Sequence, residues 1–450
     1  MRVVVIGAGI GGLTLAQALH RAGIDVSVHD RDPEAAATGG YRLHLDARAC
    51  AALRRHLSPA HYQALLASST GPAADARFAL ADHRMRLLAS EPREAGAESL
   101  LVGRIPLRVL LTHGIGDRVR FGSEYVGHER RSDGTVAAHF ADGTTDTGDV
   151  LVGADGAGSR VATLLAGRPT PVPLGIAAVA GRTPLTPATR ALVPDLLHQG
   201  AALAFGPVGA GVFLTLHDLD GGRRAAVDPA TCTEVAPQLE EPALIWGYNA
   251  AATRMPADLR DLDGPALMDA VGRVLRSWDP RLRELVAAAD PATVAAFRFH
   301  ACDPDEPLFP WPAGSITALG DAVHAMPPTG GRAAATAIRD ADVLAERLVD
   351  AAAGRTTIGL AVHDYQHEVT GYAADAVRVS LGPLRIQRLL SRPVADRMAR
   401  AVTPVLALAR AGTLRRQHPG HRAVVRGGVE RAAGERGLQR REDGLHVAAR

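Results

Sequence analysis

Val3-Val4-Val5-Ile6-Gly7-Ala8-Gly9-Ile10-Gly11-Gly12 is the stretch on which the fold turns. Its short β-branched run predicts a buried strand, and its glycines predict a turn. Leu13, Ala16 and Leu19 then recur at helical spacing up to the stop signal Gly23. Asp25 to His29, with Val26 and Val28 alternating, predicts a second strand, so the chain opens as a βαβ unit. G-x-G-x-x-G therefore stands between strand and helix, where each glycine has a task. Gly7 permits the tight turn, Gly9 lets backbone approach a pyrophosphate, and Gly12 lets the helix pack closely on the strand. The free amides of the helix start would receive phosphates. Asp30, with Arg31 beside it, ends the second strand, where a carboxylate can accept hydrogen bonds from ribose hydroxyls. Taken alone, this pattern says dinucleotide.

Further along, Asp149 to Gly153 predicts another buried strand, followed by Ala154-Asp155-Gly156-Ala157-Gly158-Ser159-Arg160. Alternating segments near 87–102 and 118–147, broken by Ser132-Asp133-Gly134 and Asp142-Gly143, predict hairpins. From Pro169 to about His300 the composition shifts to proline, glycine turns and scattered aromatics, with a hairpin expected at 201–216 turning on 206–211. Strand, glycine loop and long helix return at Leu319-Gly320-Asp321-Ala322-Val323-His324-Ala325-Met326-Pro327-Pro328-Thr329-Gly330-Gly331, with the helix expected from Arg332 to about Ala353.

In these three segments the chain resembles the class A FAD-dependent monooxygenases, the para-hydroxybenzoate hydroxylase family. The order and spacing of the fingerprints match over most of the chain, weakly between Pro169 and His300. The resemblance implies an α/β fold: a Rossmann-like FAD-binding domain with an inserted mixed β-sheet substrate domain and a helical C-terminal segment. The expected division is 1–168 as the first part of the FAD domain, with strands near 75–103 able to join the substrate sheet. Residues 169–300 would form the substrate domain, 301–380 the second part of the FAD domain, and 381–450 a helical segment with a basic tail.

By resemblance, the adenosine diphosphate of FAD falls to Gly7, Gly9, Gly12 and Asp30, a shared flavin and nicotinamide role to Asp155, and the ribityl chain to Asp321 next to Gly320. Arg104, in Gly103-Arg104-Ile105-Pro106, looks like the arginine that reaches the flavin linker. Arg42 and His44, in Gly40-Tyr41-Arg42-Leu43-His44, occupy the loop that passes beside the isoalloxazine, with His44 a candidate for the substrate. Pro328, Gly330 and Gly331 would turn the start of the long helix toward the flavin pyrimidine, its amides and dipole favouring negative charge there. Where such enzymes read Gly-x-Asn, this chain has Ala333 and Ala335. His324 reads as structural, and exposed acids such as Asp75 and Asp82 as solvated surface.

The implied activity is a monooxygenase that uses NADPH or NADH and O2 to hydroxylate or epoxidise a small organic or natural-product substrate through a flavin C4a-hydroperoxide, with no obligatory acid–base residue assigned. Two alternatives stay open: a flavin-fold cyclase acting without net redox on a polyketide-like substrate, and a non-catalytic dinucleotide-binding protein.

Composition bounds the rest. The 450 residues exceed a usual single domain. Fifty basic against forty-eight acidic residues leave +2, too little for a nucleic-acid footprint. All the basic residues are arginine, which excludes a lysine Schiff base, a pyridoxal phosphate anchor, the P-loop lysine and the lysine of flavin halogenases. Cys50, Cys232 and Cys302 are too scattered for zinc or redox pairing and point to a reducing, cytoplasmic setting. The histidines lack metal-ligand spacing, and no apolar run is long enough for a membrane span.

Overall fold

The computed structural model describes residues 1–37, 42–70, 77–92, 99–218 and 241–390. Gly40, Tyr41, Asp75, Cys232 and the tail from 391 lie outside them.

A five-stranded sheet, parallel throughout, runs in the order Ile316–Ala318, Val150–Gly153, Arg2–Ile6, Asp25–His29, Val119–Arg120. Val3, Val4 and Val5 are fully buried, as expected of a strand covered on both faces. On one face lie the first helix, Ile10–Arg21, and the long helix, Ala333–Ala352; Leu13, Leu15, Leu19, Ile338, Ala341 and Leu344 share one apolar core there. On the other face Val4, Ile6 and Leu151 pack against Tyr125, Val136 and Phe140 of a three-stranded antiparallel sheet. The turns of that small sheet fall at the two expected aspartate-glycine positions.

A second, seven-stranded sheet has the order Ala295–Ala301, Val172–Pro184, Ala243–Ala251, Gly211–His217, Ala202–Phe205, Arg77–Asp82, Leu87–Pro92. It is mixed, since Ala202–Phe205 pairs in parallel with Arg77–Asp82 and the other neighbours are antiparallel. Strand alternation sorts its faces. Leu244, Trp246, Tyr248, Val212 and Leu214 pack on the helices Gly264–Val274 and Pro280–Ala287. Ile245, Gly247, Asn249, Phe213 and Thr215 occupy the opposite face. Asp82, read from sequence as solvated surface, is 2% exposed. It sits at the hairpin turn, accepting bonds from the Arg84 and Arg86 amides and from Arg86 Nε.

A helix over Ile358–Leu390 closes the described chain. Tyr365 and Val369 join the main core, and Leu384 packs on Ile176 and Phe299 of the large sheet. Among the described residues no helix is long and apolar enough to cross a membrane, and no group of three or more His, Cys, Asp or Glu could hold a metal ion.

Candidate FAD site

A cavity of about 790 Å³ opens at the carboxyl ends of the parallel strands. Gly7, Gly9, Asp30, Arg31, Arg104, Asp155, Gly320 and Asp321 border it together, with Arg108, Ser123 and Ala333 among others. Its size is in the range of small-molecule sites, ~300–1,000 Å³.

The glycine loop is fixed by backbone. Gly7 sits at φ +109°, and a Cβ there would lie 2.3 Å from the Ala154 carbonyl oxygen; one on Gly12 would lie 2.0 Å from the Gly7 oxygen. At Gly9 the nearest atom would be 3.9 Å away, so that side of the loop is open for a ligand. The helix that follows has no side-chain cap and no acid in its first turn, which leaves its amides and positive dipole end unanswered by protein side chains.

Asp30 accepts from the Ala8 amide at 2.6 Å and from the Asp32 amide at 2.8 Å. Arg108 completes this corner. It is 2% exposed, donates through Nε to the Ala8 carbonyl at 2.8 Å, and pairs with Asp30 at 3.1 Å and Asp32 at 2.7 Å. Sequence reading missed Arg108, although it lies one helical turn after Arg104 and so shares its face.

Arg104 and Asp321 face the cavity without protein hydrogen bonds among the described residues. Arg104 Nε is buried and unpartnered, and burial lowers the guanidinium pKa. Burial likewise raises the Asp321 carboxyl, against the pull of His324 and Arg104. Two opposite charges held in a desolvated pocket without hydrogen bonds are set to accept a polar ligand. Asp155 is different. Burial raises it too, but its oxygens are taken by Ser159 Oγ at 2.5 Å and the Arg160 amide at 2.8 Å, so it fastens the second fingerprint's turn.

Beneath Asp321 lies a buried network that the sequence did not disclose. Asp340 of the long helix, fully buried, accepts from the Gly320 amide at 2.9 Å, from His324 Nε2 at 2.5 Å and from the Tyr372 hydroxyl at 2.6 Å. His324 is structural, as read, and its partner holds the third fingerprint in place.

The remaining expected residues do not border the cavity. Gly12 is packed within the loop. Gly330 lies against the C-terminal helix, where a Cβ would come 2.3 Å from Ser380 Oγ, and Thr329 Oγ1 donates to the Ser380 carbonyl at 2.5 Å. Pro328 begins that turn, and Gly331, at φ +63°, neighbours His44. Arg42 donates to the Leu101 carbonyl, to Thr70 Oγ1 at 3.1 Å and to His217 Nδ1, tying the strand Arg42–Leu45 to the large sheet. His217, buried at the end of Gly211–His217, carried no sequence signal. Ala335 is buried in the main core, so only Ala333 of the two alanines borders the cavity.

Residues 1–199 and 298–380 match the family described as FAD binding domain. The chain belongs to that family. This flavoprotein is 31% identical over 372 residues to a dual O-methyltransferase/FAD-dependent monooxygenase of Cercospora beticola, covering 77% of the chain and 42% of the relative. It thus spans about two fifths of that relative's length. An FAD-dependent urate hydroxylase of Mycolicibacterium vanbaalenii is 26% identical over 390 residues, covering 84% of the chain and 86% of the relative. Among solved structures, a putative FAD-containing monooxygenase from Photorhabdus luminescens superposes with a TM-score of 0.72 at 29% identity, covering 86% of this chain and 98% of that one. These matches place the flavoprotein among the class A FAD-dependent monooxygenases, and its cofactor is FAD.

Proposed function

We propose that the protein is an FAD-dependent monooxygenase that uses NADPH or NADH and O2 to hydroxylate or epoxidise a small organic substrate. The observation that carries this reading is the convergence of the open Gly9 backbone, Asp30, Arg104 and Asp321 on one cavity. When bound and reduced by NAD(P)H, FAD supplies the activation of O2, one atom going to substrate and the other to water.

The chain's share is placement. The uncapped first helix and the Gly9 backbone would receive the pyrophosphate, Asp30 the adenosine ribose, and Asp321 the ribityl hydroxyls, with Arg104 beside the linker. Pro328, Gly330 and Gly331 would shape the edge near the ring system, held by Ser380. We assign residues 169–300, together with the strands at 77–92, to the substrate. The face of the large sheet bearing Phe213, Ile245 and Gly247 supports an apolar, planar part of the substrate, and Arg42 with His217 a polar group at its rim. Of the two departures from the family's Gly-x-Asn, only Ala333 borders the cavity, while Ala335 is buried in the core.

A monooxygenase consumes NAD(P)H and O2 in equal amounts, so conversion under labelled oxygen gas places one labelled atom in the product. Turnover that proceeds anaerobically without NAD(P)H and with no change in mass would refute the reading and support ring closure.

Asp321→Asn is expected to weaken FAD by roughly ten- to hundredfold, the loss of a charge-assisted hydrogen bond worth about 1.5–3 kcal/mol. The apoprotein should move the other way. Burial raises the Asp321 carboxyl, so the charged form costs stability, and that cost is felt as pH rises through the raised value. Apo Asp321→Asn should therefore melt higher than wild type at neutral pH, with the gap closing on acidification. Flavin titration and melting curves read the two effects separately.

A further inference from the structure

The strand Ala243–Ala251 and the C-terminal helix meet through one pair of buried amides. Gln387 Nε2 donates to Asn249 Oδ1 at 2.6 Å and to the Asn249 carbonyl at 3.3 Å. The backbone carbonyl only accepts, so the Gln387 atom facing it is the nitrogen, and the Asn249 side-chain atom facing that nitrogen is the oxygen. Neither amide titrates, so the orientation does not depend on pH. Asn249 is left with the two protons of Nδ2, and Gln387 with the lone pairs of Oε1. The two residues are 5% and 6% exposed, and among the described residues neither leftover group has a protein partner. A buried donor and acceptor in that state are completed by a ligand or by water.

Their place favours a ligand. Asn249 shares a face with Gly247, about 7 Å along the strand, and Gly247 pairs with Phe213. A flat ring laid on Phe213 and Gly247 therefore brings its edge to Asn249. Gly211 stands opposite Asn249, where a Cβ would lie 3.2 Å from Oδ1 and 3.4 Å from Nδ2, so no side chain blocks that approach. On the helix, Ser380, Leu384 and Gln387 follow one another at the spacing of one face. Ser380 packs on the Gly330 turn, and Gln387 stands two helical turns further, about 10 Å away. One ring system spans that distance.

We propose that Asn249 and Gln387 read an amide edge of the substrate, a ring C=O beside a ring N–H as in a lactam or imide. Asn249 Nδ2 donates to the carbonyl, and Gln387 Oε1 accepts from the N–H. The two reading atoms are joined through one 2.6 Å hydrogen bond, so they lie no more than about 8 Å apart, within the span of a ring amide and its two hydrogen bonds. Both are neutral, and Oε1 repels a carboxylate, so the edge they recognise is uncharged. The inference rests on the proposed assignment of this sheet face to the substrate.

The test is isothermal titration of the FAD-loaded protein with three bicyclic probes: 2-quinolone, a lactam; coumarin, in which a ring oxygen replaces the N–H; and 2-naphthol, a hydroxyl without an amide. Wild type should bind 2-quinolone at least about tenfold more tightly than either of the others, since coumarin sets a lone pair against Gln387 Oε1. Gln387→Met should bring 2-quinolone and coumarin to within about twofold. Asn249→Leu should weaken both, because both carry the carbonyl. No binding, equal affinities in wild type, tighter binding of 2-naphthol, or a preference unmoved by Gln387→Met would overturn the proposal, the pair then being a clasp of helix on sheet or a seat for water. The wild-type comparison stands whether or not the variants fold. Labelled oxygen gas judges the monooxygenase reading separately. If label enters a product while the probes show no preference, only the role of the pair fails. If 2-quinolone is preferred and no substrate takes up label, the monooxygenase reading fails and the recognition stands.

Discussion

Asp340→Ala is expected to cost about 3–5 kcal/mol of folding stability, the loss usual when one member of a buried ion pair is removed. Three donors converge on this carboxylate, and without it the His324 imidazole, the Tyr372 hydroxyl and the Gly320 amide are all stranded away from water. Asp340→Asn keeps the shape and should cost less. Urea denaturation of the apoprotein measures the loss, and FAD content of the purified protein should fall with it, because Gly320 anchors the turn that carries Asp321. Burial pulls the His324 pKa down, but the charge and hydrogen bond of Asp340 outweigh it and leave it raised. The sign follows. A raised histidine pKa gives stability that is fully present below the ordinary histidine value and is lost as pH rises through the higher one. The stability gap between wild type and His324→Gln should accordingly narrow toward alkaline pH; a gap constant with pH would show that the imidazole is not charged in the fold.

Arg108→Met should cost about 3 kcal/mol and weaken FAD at the same time. Methionine fills much of the volume but leaves Asp30 and Asp32 facing each other without a cation and the Ala8 carbonyl without its donor. Asp32 is partly exposed and recovers some solvation, which places the figure at the lower end of the range for buried pairs. Isothermal titration with FAD together with chemical unfolding reads both losses. Unchanged FAD affinity in a destabilised variant would show that Arg108 serves the loop's stability and not its ligand geometry.

The parts of this protein legible in its sequence are those in which backbone sterics dictate residue type. Gly7 and Gly12 tolerate no Cβ, and the strand and helix around them follow from apolar period alone, so the βαβ opening and the third fingerprint's long helix could be read directly. Side-chain pairings across distant segments were not legible, since nothing in local pattern ties Asp340 to His324 or Gln387 to Asn249. Asp82 looked like any surface acid because its burial depends on the neighbouring strand Ala202–Phe205. Ala335 appeared to be a substitution at the ring edge, yet helical phase turns it into the core. Arg42 sits in a strand whose partner is Leu100–Gly103, and its hydrogen bonds there are set by that long-range pairing, not by its own neighbours.

The strand order also constrains how the chain reaches this state. Val150–Gly153 is flanked by Arg2–Ile6 on one side and by Ile316–Ala318 on the other, and the large sheet is made between those two partners. Within that sheet, Arg77–Asp82 must wait for Ala202–Phe205. Pairings so far apart in sequence slow folding and favour populated intermediates in a chain of this length. During synthesis the apolar edge of Val150–Gly153 stays open until Ile316–Ala318 has left the ribosome, and an open apolar edge is a template for joining other chains. The nascent flavoprotein therefore carries an unpaired apolar strand edge until Ile316–Ala318 pairs with Val150–Gly153.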